Sequence, residues 1–144
     1  MTNAVNVLKT TWIGGTAGSG RLMSTTLDTK IAIPLTLKGS GEGTHPKELL
    51  VASAASCYVM TLAAMMDARK LPEADITVET TLTGVLDAGL RIAHDVHIVF
   101  DEKASAEEIQ RAEVLVESAD SACMVGNLLR KGGVEVTVQG HVSV

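Results

Sequence analysis

The sequence predicts an α+β fold in which antiparallel sheets wrap around one long, buried central helix. Segments in which apolar and polar residues alternate predict strands. An uncharged stretch of 18 residues, Leu49–Met66, predicts the helix. The order of strands, helix, two strands, helices and strand is typical of helices packed against one face of a sheet. The chain of 144 residues contains no repeat or linker, so we predict a single domain over residues 1–144.

The first 37 residues predict short strands joined by turns. The segment AVNVLKTTW alternates loosely, and RLMSTTL and IAIPLTL predict two further strands, with Pro34 marking an edge strand or a break. The cluster GGTAGSG lacks the lysine that follows the last glycine of a phosphate-binding loop and has no long helix after it. We therefore interpret it as a hairpin turn.

The central helix is predicted from Pro46 to about Arg69. Proline suits the first turn of a helix because its missing N–H is not needed there. Thr44 is the expected cap, and Glu48 lies favourably at the positive helix end. The segment KLPEAD ends the helix.

The apolar run within this helix has two interpretations. Its length lies at the lower edge of a membrane span, but Ser53, Ser56, Thr61 and many alanines favour a helix buried inside a globular protein. A helix that is apolar on every side needs cover on every side, and one sheet covers only one side. We therefore expect a homodimer, with no membrane partner.

The second half predicts two strands, two helices and a final strand. DITVETTLTG and LRIAHDVHIVF alternate with period two and are joined by a hairpin at VLDAGL. Ser105 and Glu108 form a capping box before an amphipathic helix. The shorter helix SACMVGNLLRK ends at Gly132, and VEVTVQGHV predicts the last strand, with its valines pointing inward.

The composition excludes some partners and suggests a compartment. The net charge is −5 and aromatic residues make up 2%, which argues against nucleic acid binding. The N-terminus lacks the features of a signal peptide, so we expect a cytoplasmic protein. In a reducing compartment two cysteines are more often catalytic, redox-active or buried than joined in a structural disulfide.

Cys57 and Cys123 are the candidate chemical groups, and no local motif links them. A cysteine in an alanine-rich buried helix is most often an inert small hydrophobe, which is the more common interpretation for Cys57. Cys123 is expected in the first turn of the last helix, capped by Asp120 or Ser121, where the helix N-terminus would stabilise a thiolate. A purely structural cysteine between two helices is an equal alternative there.

The histidines give weaker signals. His94 lies on the apolar face of its strand and is either a general base or, as we favour, a hydrogen-bonded core histidine. His97 and His141 fall on outward faces and are expected to be solvated, and His45 precedes the central helix. No Cys/His spacing typical of a metal site is present, so we expect no metal or bound cofactor.

Two signatures in the chain resemble the OsmC/Ohr family. The first is Pro46 followed by Glu48-Leu49-Leu50 and by Ala54-Ala55-Ser56-Cys57, eleven residues after the proline. The second is Cys123-Met124-Val125, followed by Leu128-Leu129 and a valine-rich strand. The resemblance covers nearly the whole chain. It implies an intertwined homodimer with the cysteine helix at its centre.

The resemblance also implies a chemistry. It implies that Cys57 attacks an organic hydroperoxide as the peroxidatic thiolate and becomes a sulfenic acid. Cys123 would then resolve it as a disulfide, which an external dithiol reduces. Family members hold the thiolate with an arginine and a glutamate, whereas this chain has Lys47 at the position of that glutamate. Lys47, Lys38 or Arg21 could supply the stabilising cation.

Three hypotheses remain open from the sequence. The first is a thiol-dependent peroxidase that reduces organic hydroperoxides. The second is a divergent OsmC-like protein with weak or no peroxidase activity that binds a small hydrophobic ligand at the dimer interface. The third is a structural protein with inert thiols. A pKa of Cys57 well below that of a free thiol distinguishes the first from the second, and resistance of both native cysteines to alkylation would identify the third.

Overall fold

The computed structural model describes residues 7–144, which form two compact units, one ending at Leu49 and the other spanning Leu50–Val144. Three helices and six strands make up the α+β fold that the sequence predicts. In chain order they are β1 Lys9–Ile13, β2 Ser19–Met23, β3 Asp28–Ile31, α1 Pro46–Ala68, β4 Ala74–Val85, β5 Gly89–Phe100, α2 Ala106–Ala122, α3 Met124–Lys131 and β6 Glu135–Ser143.

The first unit contains an antiparallel sheet in the order β1-β2-β3. A single 3-10 turn at Gly15–Ala17 joins β1 to β2, which confirms the predicted hairpin at GGTAGSG. Gly14 adopts a φ of 98°, a conformation that suits glycine. The strand predicted for AVNVLKTTW begins at Lys9, and its residues 4–6 lie outside the described part of the chain.

The strand predicted at RLMSTTL is shorter than expected, and the one predicted at IAIPLTL is absent apart from its first residue. β2 ends at Met23, and the chain then turns, with the Ser24 amide donating to the Leu27 carbonyl at 2.8 Å. β3 ends at Ile31, and Leu35–Leu37 form a 3-10 turn instead of a strand. The cause is Pro34: it has no N–H for a sheet, and its carbonyl accepts from Leu37 at 2.9 Å.

Helix α1 begins at Pro46, as predicted, and ends at Ala68. The predicted cap, Thr44, lies one residue too early, because the Leu49 amide donates to the carbonyl of His45 at 3.1 Å. Thr44 instead donates its hydroxyl to the Glu48 carboxylate in the first turn.

The second unit contains the sheet β4-β5-β6. β4 and β5 pair antiparallel across a tight turn in which Val85 lies opposite Gly89, so the predicted hairpin is confirmed. Alternate residues of β5 are buried, as the period-two pattern predicts. One face of this sheet therefore points to the core and the other to solvent.

The pairing of β6 differs from the antiparallel arrangement that we expected, since β6 runs parallel to β5, with His97 opposite His141. A parallel neighbour requires a long crossover connection, and here α2 and α3 supply it. The capping box at the start of α2 is present, because the Ser105 side chain accepts from the Glu108 amide and Glu108 accepts from the Ser105 amide.

The core of the second unit lies between α1, α2 and the inner face of the sheet. Helix α1 contributes Tyr58, Leu62 and Met66, which are at most 5% exposed. The remaining buried residues of this cluster come mainly from β5 and α2: Val96, Ile98, Phe100, Ala112, Leu115, Val116 and Ala119. Each large apolar side chain buried here stabilises the fold by roughly 1.5–3 kcal/mol.

The remaining surface of α1 is open in the single chain. Only 22% of its most apolar 18-residue window is buried, and Met60 is 69% exposed. The window has a mean hydropathy of 1.9, so α1 is long and apolar enough to cross a membrane, a test that core helices of soluble proteins also pass. The fold of one chain thus covers one side of the helix, as the sequence analysis expected.

Candidate active site

The fold brings the two cysteines together. Cys57 lies in the middle of α1, and Cys123 lies at the junction of α2 and α3. Both are free thiols; Cys57 is half-buried and Cys123 is 1% exposed. Cys123 lies close enough to Cys57 for its side chain to lower the pKa of the Cys57 thiol. Two thiols that are far apart in sequence therefore form one site.

Cys123 lies at a helix boundary rather than inside a helix. Its φ of −71° and ψ of 112° are extended, so it ends α2 and is the N-cap residue of α3. The predicted cap at Asp120 or Ser121, with Cys123 in the first helical turn, is therefore wrong. The first-turn amides of α3 have no partner within the helix, and those of Met124, Val125 and Gly126 act on the two thiols.

The pKa of Cys57 is lowered from that of an ordinary thiol. Burial raises its pKa, but the backbone amide of Val125, the Cys123 side chain, the Met124 amide and the Thr61 hydroxyl together outweigh burial. A thiolate is the charge that these donors favour. Cys57 is therefore the thiol of the pair whose surroundings favour the thiolate.

The pKa of Cys123 is raised. Burial is the largest cause, the Gly126 amide opposes it, and the neighbouring Cys57 adds to the increase. The amides of this helix terminus thus lower the pKa of both thiols, but at Cys123 burial and the neighbouring Cys57 outweigh them. The predicted effect of this terminus on Cys123 is present in direction, since the Gly126 and Val125 amides lower its pKa, but burial makes the overall shift upward.

An ion pair that the sequence analysis did not identify fixes this helix junction. Arg130 Nη2 lies 2.6 Å from Asp120 Oδ2 and donates to the Val136 carbonyl at 3.0 Å. Arg130 Nη1 donates to Asn127 Oδ1 at 2.8 Å. Arg130 therefore joins the end of α2, α3 and β6 around Cys123. No local signal revealed this pair, because its members lie on different helices.

His94 is a core histidine, which is the interpretation that the sequence favoured. It is 2% exposed, its Nδ1 lies 2.8 Å from Thr80 Oγ1, and its ring stacks on Tyr58 at 4.9 Å. Burial lowers the pKa of His94, so the ring is neutral near pH 7. Tyr58 donates its hydroxyl to the Val116 carbonyl at 2.8 Å, and burial raises its pKa.

The three predicted cations all belong to the first unit. Arg21 Nε pairs with Asp28 Oδ1 at 2.7 Å, Lys38 has a left-handed φ of 68° after a 3-10 turn, and Lys47 is exposed in the first turn of α1. Within residues 50–144 the groups that lower the pKa of Cys57 are neutral hydrogen-bond donors. The role of the cations stays a prediction.

Comparison with known proteins supports the family resemblance. Residues 39–139 match the family described as OsmC-like protein. The uncharacterized protein YmaD of Bacillus subtilis (strain 168) is 34% identical over 141 residues, which cover 95% of this chain and 93% of YmaD. The organic hydroperoxide resistance protein of Xanthomonas axonopodis pv. citri (strain 306) is 30% identical over 145 residues, covering 96% of this chain and 98% of the relative.

A solved structure agrees with this relationship. The crystal structure of an organic hydroperoxide resistance protein OsmC from Legionella pneumophila superposes with a TM-score of 0.66 at 27% identity, covering 99% of this chain and 100% of the other. Its fold matches the mixed arrangement of helices and two small sheets described above. From the matched residues, the relatives and the fold, we conclude that the chain belongs to the OsmC-like protein family.

Proposed function

We propose that this protein is a thiol-dependent peroxidase that reduces organic hydroperoxides, with Cys57 peroxidatic and Cys123 resolving. The observation that carries the proposal is the pairing of two thiols with opposite pKa shifts, lowered at Cys57 and raised at Cys123. Relatives named organic hydroperoxide resistance proteins support the same reaction class.

In the first step the Cys57 thiolate attacks the terminal oxygen of the hydroperoxide. The O–O bond breaks, the sulfur is oxidised to a sulfenic acid, and the leaving alkoxide takes up a proton to become an alcohol. The donors around Cys57 increase the thiolate fraction at neutral pH, and the thiolate is the attacking form. An ordinary thiol is mostly protonated at that pH.

In the second step the Cys123 sulfur attacks the sulfenic sulfur of Cys57. A disulfide forms and water leaves, carrying the sulfenic hydroxyl and the Cys123 proton. An external dithiol then reduces the disulfide by thiol–disulfide exchange and becomes oxidised itself. Because Cys123 is already in contact with Cys57, resolution competes well with over-oxidation. A cytoplasmic location would supply such a reductant.

We also propose that the working form is a homodimer in which the open surface of α1 is covered by a second copy. Met60 is 69% exposed, and most of the apolar window of α1 is uncovered in one chain. An apolar helical surface of this size favours association in water. Light scattering coupled to gel filtration tests this, and a monomeric mass at micromolar concentration would contradict it.

The reaction is tested by treating reduced protein with one equivalent of cumene hydroperoxide. The cysteines are then mapped by mass spectrometry without reduction. We expect a rapid Cys57–Cys123 disulfide within one chain. Cys57→Ser should abolish hydroperoxide consumption. Cys123→Ser should consume one equivalent and leave a sulfenic acid that dimedone traps. Normal cycling of Cys123→Ser with dithiol would refute the resolving role.

A second function has one observation in its favour. The first unit contains an apolar cavity of about 710 Å³, lined by Trp12, Leu22, Ile31, Ala32, Ile33, Pro34, Leu37, Thr44, Pro46 and Leu49. Apolar cavities of this size commonly bind small hydrophobic molecules. If both thiols stay free for minutes with hydroperoxide, ligand binding becomes the better proposal. Displacement of a fluorescent hydrophobic dye would then test it.

A further inference from the structure

Three potential metal ligands meet on the solvent face of the second sheet, which is the face opposite the cysteines. Asp95 and His97 lie two residues apart on β5 and so point to the same side. His141 lies on β6 directly opposite His97, because the two strands pair in parallel. One ligand atom from each residue lies within 4.8 Å of the others.

The donor atoms of this cluster converge on one point. His141 Nε2 lies 2.8 Å from Asp95 Oδ1, and His97 Nε2 lies 3.4 Å from Asp95 Oδ2. The two imidazole rings are stacked, with centroids 4.6 Å apart and planes at 20°. Both histidines therefore present Nε2 toward the same carboxylate, so one potential ligand atom from each of the three residues lies in the same small region of the surface.

The dimensions suit a transition-metal ion after small side-chain rotations. Zinc–nitrogen and zinc–oxygen bonds are about 2.0–2.2 Å, so two tetrahedral donors lie roughly 3.3 Å apart. The two histidine–carboxylate separations of 2.8 and 3.4 Å lie on either side of that value. All three ligands are held on paired strands, so only the outer side-chain torsions need to change.

The exposure of the cluster leaves room for the rest of a coordination shell. The side chains of Asp95, His97 and His141 are 45%, 48% and 46% exposed. Water can therefore supply a fourth ligand, as in open zinc sites. A shallow cavity of about 400 Å³ beside the cluster, lined partly by Glu79, Thr81, Thr137 and Gln139, adds polar groups to the same face.

We propose that Asp95, His97 and His141 form a binding site for a divalent transition-metal ion of the zinc type. Two imidazoles and one carboxylate are donors that zinc and copper accept well, whereas magnesium and calcium prefer oxygen ligands. The site is independent of the thiols, since the sheet separates them. The sequence shows no metal-type spacing here because the third ligand, His141, comes from a distant strand.

The proposal is tested by titrating the full chain with zinc chloride in a calorimeter. Thiolates also bind zinc, so the titration uses the Cys57→Ser/Cys123→Ser double variant. We expect one ion per chain. Three substitutions each remove one ligand: His97→Ala, His141→Ala and Asp95→Asn. Each should weaken zinc binding at least about tenfold, because loss of a residue that only supports a ligand already lowers metal affinity by that factor. The matched control, His45→Ala, removes a histidine outside the cluster and should bind as before.

Thermal unfolding without metal tests whether each variant is folded. We expect that it is, because the side chains of Asp95, His97 and His141 are nearly half exposed. A saturating zinc concentration should raise the melting temperature of the double-cysteine variant and leave that of the His141→Ala derivative unchanged. The absence of zinc binding by the double-cysteine variant would overturn the proposal. Binding that survives each of the three ligand substitutions would overturn it as well.

Discussion

The two faces of the second sheet contrast sharply although they are built from the same strands. On β5, His94 is 2% exposed and stacked on Tyr58, whereas the side chain of His97, three residues later, is 48% exposed. The inner face packs against the helices that carry the two thiols, and the outer face holds solvated charges. The alternation of a strand thus places a core histidine and the candidate metal ligands on opposite sides of one element.

Two ion pairs sharpen this contrast and give the largest expected effect. Arg130–Asp120 lies on the inner side, with side chains 31% and 14% exposed, and Arg91–Glu135 lies at the surface, 62% and 56% exposed. Both have a nitrogen–oxygen distance of 2.6 Å. Arg130→Ala should lower the free energy of unfolding by about 3 kcal/mol, because it leaves a partly buried carboxylate uncompensated.

The surface pair serves as the matched comparison. Arg91→Ala should cost less than about 1 kcal/mol, since exposed ion pairs gain little in water. Urea unfolding of both variants measures the difference. Equal losses would mean that the Arg130 pair is as solvated as the Arg91 pair, and that the junction around Cys123 does not depend on it.

Two adjacent threonines of β4 test the same contrast without charge. Thr80 hydrogen-bonds to His94 on the inner side, and Thr81 is exposed on the outer side. Thr80→Val should cost about 1–2 kcal/mol, because it leaves the buried His94 Nδ1 without its partner. Thr81→Val makes the same change in side-chain shape, and its free energy of unfolding should stay within about 0.5 kcal/mol of that of the wild type. A smaller loss at Thr80 than at Thr81, measured by urea unfolding, would contradict the assignment of the faces.

The buried histidine should make stability depend on pH. Its folded-state pKa is lowered, so the unfolded chain binds a proton more readily. The free energy of unfolding therefore has its full value above the unfolded-state pKa near 6.5, and it decreases as the pH falls below that pKa. The loss is at most about 1.4 kcal/mol per pH unit for one proton. In His94→Gln the side-chain amide can still hydrogen-bond to Thr80. This variant should show a weaker dependence of the free energy of unfolding on pH between pH 7 and pH 5.

The control for this pH experiment is His45→Gln, which should keep the wild-type slope. His45 precedes α1 in the chain and is not part of the sheet that carries His94. An unchanged slope in His94→Gln would show that His94 does not cause the pH dependence.

The elements of the fold were largely predictable because their signals are local. Period-two alternation predicted β4 and β5, and the capping box predicted α2. The proline followed by an apolar run predicted α1. Errors occurred where the outcome depends on distant pairing. The parallel direction of β6 follows from its crossover, and the loss of a strand at IAIPLTL follows from hydrogen bonds that only the folded loop makes.

The site was predictable in its residues but not in its electrostatics. The signatures around Cys57 and Cys123 identified both thiols, yet the expected stabilisation by a lysine or arginine remains a prediction. The amides of Met124 and Val125 act on Cys57 because the chain leaves the helical conformation at Cys123. The position of this helix boundary, which sequence patterns rarely resolve to one residue, decides which amides are free to act on the two thiols.

The smallest expected effect concerns the two thiols themselves, and its sign differs between them. The Cys123 side chain lowers the pKa of Cys57, so Cys123→Ala should raise that pKa and slow alkylation of Cys57 near neutral pH. Cys57 in turn raises the pKa of Cys123, so Cys57→Ala should lower it. Iodoacetamide rates measured against pH report both values, because each variant keeps one thiol. Shifts of the same sign would show that the pair shares burial rather than a directed hydrogen bond, and the assignment of nucleophile and resolving thiol would lose its physical basis.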